Sequence, residues 1–351
     1  MPTETETPRK GKHLHAAKLL LVEDDPALSE LLEYRFTNEG YQVRTTPDGD
    51  EALLLATEDV PDLVILDASL FLPGTPRDPR AEFEAAHIPG AAYMDLPGLS
   101  DPDDPTPGML PPDAMMTQRM QALGVNADSR IIVYDNSPTH SAARGWWMMR
   151  VYGLGASAAI LDGGLPKWLA EGRPVDSGLP AIPPGNAVAR LDRAQVRTKA
   201  DILANLDSGA VQLVDARGAG RFTGAEAEPR PGMASGHIPG SRNLPSSALF
   251  LPDNRMKQGT ELRRLFEEAG VDVDRPVITT CGSGVTAAIL LAGLESLGQQ
   301  HVGLYDGSWS EWGFDPARYG VSPKLGFELG SYRSADPSGH QTVYFDDIRL
   351  D

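Results

Sequence analysis

The sequence predicts an α/β protein built from two tandem copies of one unit, each a parallel sheet with helices on both faces. Three observations carry that prediction. Short apolar, β-rich runs alternate with helical runs along most of the 351 residues, the pattern of parallel sheets covered by helices. Next, "AHIPGAAYMDLP" from Ala86 returns as "GHIPGSRNLPSS" from Gly236, and "LVILDAS" from Leu63 returns as "VQLVDAR" from Val211. Finally, the spacing hardly drifts: His87 to His237 is 150 positions, Asp67 to Asp215 is 148, and "LDGGLPKW" and "YDGSWSEW" set Trp168 and Trp312 144 apart. Repetition this regular means one fold used twice, with small differences in loop length.

Taken in chain order, residues 1–17 have neither an apolar core nor a hydrophobic period and are expected to form a disordered tail, not a secretion signal. Residues 18–62 read as a segment that merges into the first copy. Within it, 18–40 form an added strand and helix, and Tyr41 to Glu58 supply the strand and helix that open the first copy. The first copy proper is expected over 63–176. A linker follows over 177–193, because "DSGLPAIPPGNAVARLD" is rich in Pro and Gly and polar enough for the surface. The second copy is expected over 194–316. The remainder, 317–351, includes "FELGSYRSADPSGHQTVYFDDIRLD", which alternates like antiparallel strands but is too short to make a domain.

Composition narrows the partners. A formal charge of −18 repels polyanions on average, which argues against nucleic acid and anionic membrane. No apolar run approaches a membrane span, and a single cysteine excludes an internal disulfide, so a reducing cytoplasm is expected. The sequence suggests no metal site and no cofactor.

That one cysteine is the sharpest feature of the chain. In "VITTCGSGVTAAILLAG", residues 277–293, Val277 to Thr280 is β-rich, Gly282-Ser283-Gly284 permits left-handed backbone, and Thr286 is placed to cap the helical run that follows. Cys281 is therefore expected at the carboxyl end of a parallel strand, where ligands bind in such sheets. There the N–H groups of Gly282, Ser283, Gly284, Val285 and Thr286 can form a nest for a sulfur anion. A Walker phosphate loop would need Gly-Lys-Ser/Thr where the chain has Gly284-Val285-Thr286, and a cysteine phosphatase would need Arg at Ala287. The repeat sets Asp135 opposite Cys281, so only the second copy holds a nucleophile.

The boxes "CGSGVT", "HIPG" twice, "LDGGLPKW" and "YDGSWSEW" resemble the tandem-rhodanese sulfurtransferases over about residues 63–316, most closely the branch that uses 3-mercaptopyruvate. The resemblance implies that Cys281 attacks the sulfur of a small-molecule donor and becomes a persulfide. The sulfur then passes to a thiol acceptor such as thioredoxin, or to cyanide. The sibling branch that uses thiosulfate has Arg and Lys after the cysteine, whereas here Gly282 and Ser283 are neutral. Arg221 in "GRF" and Arg230 in "EPRPG" match the two arginines with which the mercaptopyruvate branch holds its donor. A planar guanidinium fork is well suited to a carboxylate and its neighbouring keto oxygen. The family also joins an Asp and a His of the first copy to the loop serine in a relay. The matching positions here are Pro97 and Gly108, which leaves Ser283 a hydrogen-bonding role and admits the reading of an inactive mosaic. The histidines of the two "HIPG" boxes occur in both copies, of which only one has a thiol, so they are read as parts of a structural turn.

The two ends resemble other families. Residues 18–67 look like the first half of a two-component receiver, in which Glu23, Asp24 and Asp25 would hold Mg²⁺ and Asp67 would accept phosphate. That resemblance implies a phospho-responsive signalling or interaction protein. The second half of a receiver is missing, however, and Asp67 has a repeat partner in Asp215, which explains it as part of the doubled fold. The C-terminal tail resembles the last strands of a jelly-roll polysaccharide lyase, with no lyase activity implied.

Overall fold

The computed structural model describes residues 18–38, 41–49, 51, 63–72, 74–230 and 232–314. The tails expected over 1–17 and 317–351 lie outside them. The chain divides into two units, residues 1–61 and 62–351.

In the N-terminal unit, β1 (Lys18–Val22) and β2 (Gln42–Thr46) pair in parallel, with α1 (Pro26–Asn38) between them in sequence. Asp25 sets the start of the helix: its Oδ1 accepts the N–H groups of Ala27 and Leu28 at 2.9 and 3.0 Å. Pro26 then takes the first helical position, where a missing N–H costs nothing. This corrects the strand part of the expectation that Tyr41 to Glu58 opens the first copy. The ladder bonds of Gln42–Thr46 go to Lys18–Val22, and residues 52–58 lie outside the described residues.

In the larger unit the first copy is a four-stranded, all-parallel sheet in the order β4 (Ala91–Tyr93), β3 (Leu63–Asp67), β5 (Arg130–Tyr134), β6 (Ser157–Ile160). The second copy repeats that order as β9 (Arg242–Asn243), β8 (Gln212–Asp215), β10 (Val277–Thr280), β11 (Val302–Tyr305), and adds β7 (Val196–Arg197) beyond β11. The helices of the first copy are α2 (Pro79–Ala85), α3 (Asp113–Ala122), α4 (Ala142–Val151) and α5 (Gly164–Ala170). Those of the second are α6 (Lys199–Ser208), α7 (Ala219–Thr223), α8 (Gly259–Glu268), α9 (Ala287–Ser296) and α10 (Ser308–Trp312). The tandem α/β architecture read from the repeat is the one observed.

Equivalent helices α4 and α9 pack on each other between the copies, so most residues of both are buried. That is why "AARGWWMMRV" and "AAILLAGLES" lack the polar face of a surface helix. Gly145 lets α4 lie close to its sheet, since a Cβ there would stand 3.0 Å from Val133 Cγ1. One hydrophobic core results, joining Val133, Trp147 and Met148 of the first copy to Leu290, Leu291 and Leu304 of the second. The linker region is held along the first copy: Gly185, Ala187 and Arg190 donate N–H bonds to the carbonyls of Gln121, Val125 and Tyr152 at 2.8–3.0 Å. Ala187 and Ala189 are buried while Val188 between them is exposed. Among the described residues no helix is long and apolar enough to cross a membrane.

Candidate active site

Cys281 stands at the carboxyl end of β10, the middle strand of its sheet, and is 2% exposed. The loop after it is held by its carbonyls. Cys281 O accepts the N–H of Trp309 at 2.9 Å, and Gly282 O accepts the N–H and the hydroxyl of Ser310 at 2.8 and 2.7 Å. Cys281 N–H donates to Ser308 Oγ at 3.2 Å, and that hydroxyl donates to Tyr305 O at 2.8 Å. In a planar trans peptide the C=O and the following N–H point in opposite directions. Anchoring the carbonyls of 281 and 282 therefore turns the N–H groups of 282 and 283 away from α10. None of the N–H groups of Gly282 to Thr286 donates to a protein acceptor among the described residues, so these donors are available to an anion.

One local expectation needs correction. Thr286 sits at the N-terminal boundary of α9 with helical dihedrals, φ −75° and ψ −16°, and its side chain makes no capping bond. An N-cap hydroxyl reaches back to the helix N–H groups from extended backbone, which Thr286 does not have. Ser283 lines the same cavity as Cys281, and its side chain makes no hydrogen bond to the described residues.

The first copy reaches the loop from behind. Arg144, on α4, pairs with Asp306 at 2.7 Å, and both side chains are nearly fully buried. Its Nη1 lies 3.4 Å from Gly284 O, and its Nη2 donates to Gly108 O at 2.8 Å. Asp306 Oδ2 accepts the N–H of Leu110 at 2.8 Å. Gly284 has φ +74°, and a Cβ there would lie 2.8 Å from Arg144 Nη1 and 3.0 Å from Asp306 O, so both backbone and space demand glycine.

In front of the loop is a cavity of about 420 Å³ lined by Cys281, Arg221, Glu228 and Arg230 of the second copy and by Leu72 and Pro97, among others, of the first. Arg217 is fully committed: it pairs with Asp215 at 2.7 Å and with Glu228 at 2.6 Å, donates to Gly236 O, and lies over the Trp309 ring. Burial disfavours its charge, but Asp215 and Glu228 outweigh that and raise its pKa. Arg221 pairs with the other oxygen of Glu228 at 2.5 Å. Arg230 donates to Ser310 Oγ and has no carboxylate partner among the described residues; burial lowers its pKa, and the neighbouring Cys281 acts in the opposite direction. Pro97 lines this cavity, whereas Gly108 lies against the loop, where a Cβ would stand 3.4 Å from Ser283 O. Neither residue offers a titratable group.

The non-catalytic copy shows what its equivalent loop holds. Asp135 follows β5 as Cys281 follows β10, and its carboxylate accepts the N–H groups of Ser137 and Ala142 at 3.0 and 2.7 Å. Burial raises its pKa to about 6. The two "HIPG" histidines do the same job twice: His87 Nδ1 lies 2.8 Å from Phe83 O with its ring stacked on Phe83, and His237 Nδ1 lies 2.9 Å from Phe222 O with its ring stacked on Phe222. Asp67 is 2% exposed and accepts the N–H of Ser69 at 2.9 Å, just as Asp215 accepts that of Arg217. Asp25 caps α1 and Glu23 accepts the N–H of Asp25, so those carboxylates already have local partners. Among the described residues no group of three or more His, Cys, Asp or Glu could hold a metal ion.

Sequence reading missed Arg144, Asp306, Glu228, Ser308 and Ser310. The signal for Ser308 and Ser310 was present in "YDGSWSEW", which the repeat had already singled out. For Arg144 the only sign was its place in the helix that follows the Asp135 loop.

Comparison with known proteins agrees with this geometry. The model of the rhodanese-like domain matches residues 52–171 and again 198–314, together more than half of the chain. The chain belongs to the rhodanese family. This rhodanese is 44% identical over 252 residues to the 3-mercaptopyruvate sulfurtransferase of Rattus norvegicus, which covers 71% of this chain and 84% of the relative. It is 41% identical over 255 residues to the thiosulfate sulfurtransferase of Cricetulus griseus, covering 72% and 85%. Among solved structures, SseA of Escherichia coli, described as a 3-mercaptopyruvate sulfotransferase with the rhodanese fold, superposes with a TM-score of 0.66 at 38% identity, covering 74% of this chain and 97% of that one. The response regulator receiver model matches residues 19–73, overlapping the first rhodanese match. In the overlap, β3 pairs with β4 and β5 of the rhodanese sheet.

Proposed function

We propose that this rhodanese transfers sulfur in the cytoplasm from 3-mercaptopyruvate, through a persulfide on Cys281, to a thiol such as that of thioredoxin or to cyanide, releasing pyruvate. The observation that carries this reading is Arg230, a guanidinium without a carboxylate partner among the described residues, in the same cavity as Cys281. A donor carboxylate fits against Arg230, and the adjacent keto oxygen against Arg221. The Cys281 thiolate attacks the donor sulfur, an S–S bond forms and the C–S bond breaks. The electron pair of that bond leaves as the enolate of pyruvate, on whose oxygen negative charge develops beside the guanidinium. The thiol proton of the donor passes to the enolate carbon, leaving pyruvate and an ionised persulfide. Its outer sulfur anion meets the N–H groups of Gly282 to Thr286. An acceptor thiolate or cyanide then takes the outer sulfur and returns Cys281 as thiolate.

Relatives named for mercaptopyruvate and for thiosulfate are similarly close in sequence, so the donor choice rests on the neutral residues Gly282 and Ser283 and on the two arginines. Asp67 lies buried in a rhodanese strand, and a phospho-acceptor role for it is no part of this reading. The test is intact-mass measurement after incubation with 3-mercaptopyruvate, with pyruvate assayed in parallel. The protein is expected to gain one sulfur atom, and Cys281→Ser to gain none and release no pyruvate. Comparable turnover by Cys281→Ser would overturn the mechanism, and a preference for thiosulfate at equal concentration would overturn the donor assignment.

A further inference from the structure

Arg217, Arg221 and Arg230 bring three positive charges to one wall of the Cys281 cavity, and the described residues answer them with two carboxylates. Asp215 is spent on Arg217, through contacts of 2.7–3.2 Å. Glu228 is divided: Oε1 accepts from Arg217 Nη1 at 2.6 Å, and Oε2 accepts from Arg221 Nη2 and Nε at 2.5 and 3.2 Å. Among the described residues Arg230 has no carboxylate partner. On this wall three guanidiniums less two carboxylates leave one positive charge, and it resides where Arg230 meets the cavity and the sulfur of Cys281. Glu228 is only 5% exposed, so water and salt screen it weakly.

The candidate donors differ in charge. A 2-keto-3-thiol acid carries one negative charge on its carboxylate, and thiosulfate carries two. Changing the site by one unit changes its Coulomb energy with a dianion about twice as much as with a monoanion. We propose that Glu228 is a specificity-determining residue: by neutralising the second guanidinium it leaves the arginine wall a single positive charge and so selects monoanionic over dianionic sulfur donors. This rests on the reading of Cys281 as the sulfur-carrying residue. It adds to that reading a second device alongside the neutral loop. The same carboxylate also orients Arg221, and a merely orienting role would act on both donors alike.

The experiment measures kcat/KM for 3-mercaptopyruvate and for thiosulfate, with cyanide as acceptor at one ionic strength. Glu228→Gln is expected to raise the thiosulfate-to-mercaptopyruvate ratio about tenfold, and Glu228→Asp, which keeps the charge, to leave it within about twofold. Leu72→Lys adds a positive charge to the same cavity from a residue that is 52% exposed and makes no ion pair, so the fold tolerates it. It should move the ratio in the same direction and decides the matter if Glu228→Gln does not fold. An equal change for both donors in Glu228→Gln, or an unmoved ratio in Leu72→Lys, overturns the proposal. Sulfur uptake by the wild-type protein, followed by intact mass, separates the two layers. If uptake occurs and the ratio does not respond, only the role of Glu228 falls. If no sulfur is taken from either donor, the reading beneath it falls as well.

Discussion

A guanidinium buried between two carboxylates has little to offer a substrate, and Arg217 is in that position, whereas Arg221 shares one carboxylate and Arg230 has none among the described residues. At the scale of single residues this ranks the three arginines, which their sequence stretch does not. Replacing Arg221 or Arg230 by Lys keeps the charge and loses the planar fork. The expected loss is about 1.5–3 kcal/mol, or roughly ten- to a hundredfold in kcat/KM for 3-mercaptopyruvate. Arg263 on α8 is the control. It pairs with Asp274 at 3.3 Å at the surface, and Arg263→Lys should stay within about twofold. If all three variants behave alike, the carboxylate clamp is absent.

The two loops that follow β5 and β10 show how one element serves two ends. The first wraps its N–H groups around the carboxylate of Asp135; the second leaves them to whatever anion Cys281 carries. Confinement of Asp135 has a pH signature. Burial raises its pKa from 3.8 to about 6, so its contribution to stability is fully present below pH 3.8 and is lost as pH rises through 6. His140, in the same loop with φ 47° and stacked on Phe250, has its pKa lowered by burial from 6.5 to about 4. Its contribution is present above pH 6.5 and is lost as pH falls through 4. Between pH 4 and 6 the two oppose each other. Relative to wild type, Asp135→Asn should therefore gain stability as pH rises across that window, and His140→Phe should lose it, each by up to about 1.4 kcal/mol per pH unit. Urea midpoints at several pH values check this, and parallel curves for all three proteins would refute it.

For the molecule as a whole, the second copy cannot be understood without the first. The copies share one core through α4 and α9, and the buried Arg144–Asp306 pair joins α4 to the residue after β11. Removing one partner of such a pair strands a buried charge, at a cost of about 3–5 kcal/mol. The two copies are expected to unfold together. Trp146, Trp147 and Trp168 belong to the first copy and Trp309 and Trp312 to the second, so the fluorescence of variants that keep tryptophans in only one copy should trace coincident denaturation curves. Separate transitions would show that the shared core does not couple them.

Much of this molecule was legible before any coordinates. The doubled α/β fold, the strand-end place of Cys281 and the glycine loop beside it all follow from local pattern. A β-rich run, a left-handed glycine and a helical run are short-range preferences that survive in one dimension, and repetition at nearly constant spacing doubles their weight. The "HIPG" histidines were likewise readable as a turn because they recur where no thiol does. Tertiary structure alone decided which partners the strong side chains take. Gln42–Thr46 has the look of a first rhodanese strand, yet its ladder bonds go to Lys18–Val22. Arg144 lies 140 positions before Gly284 and Arg230 lies 80 before Ser310, and no period in the sequence records which acceptor a long guanidinium finds across such a separation. The division of Glu228 between two arginines is of the same kind. Where a charge ends up depends on the closing of long loops and on burial. A sequence shows that the charge exists, and only the folded chain shows what is left of it for a substrate.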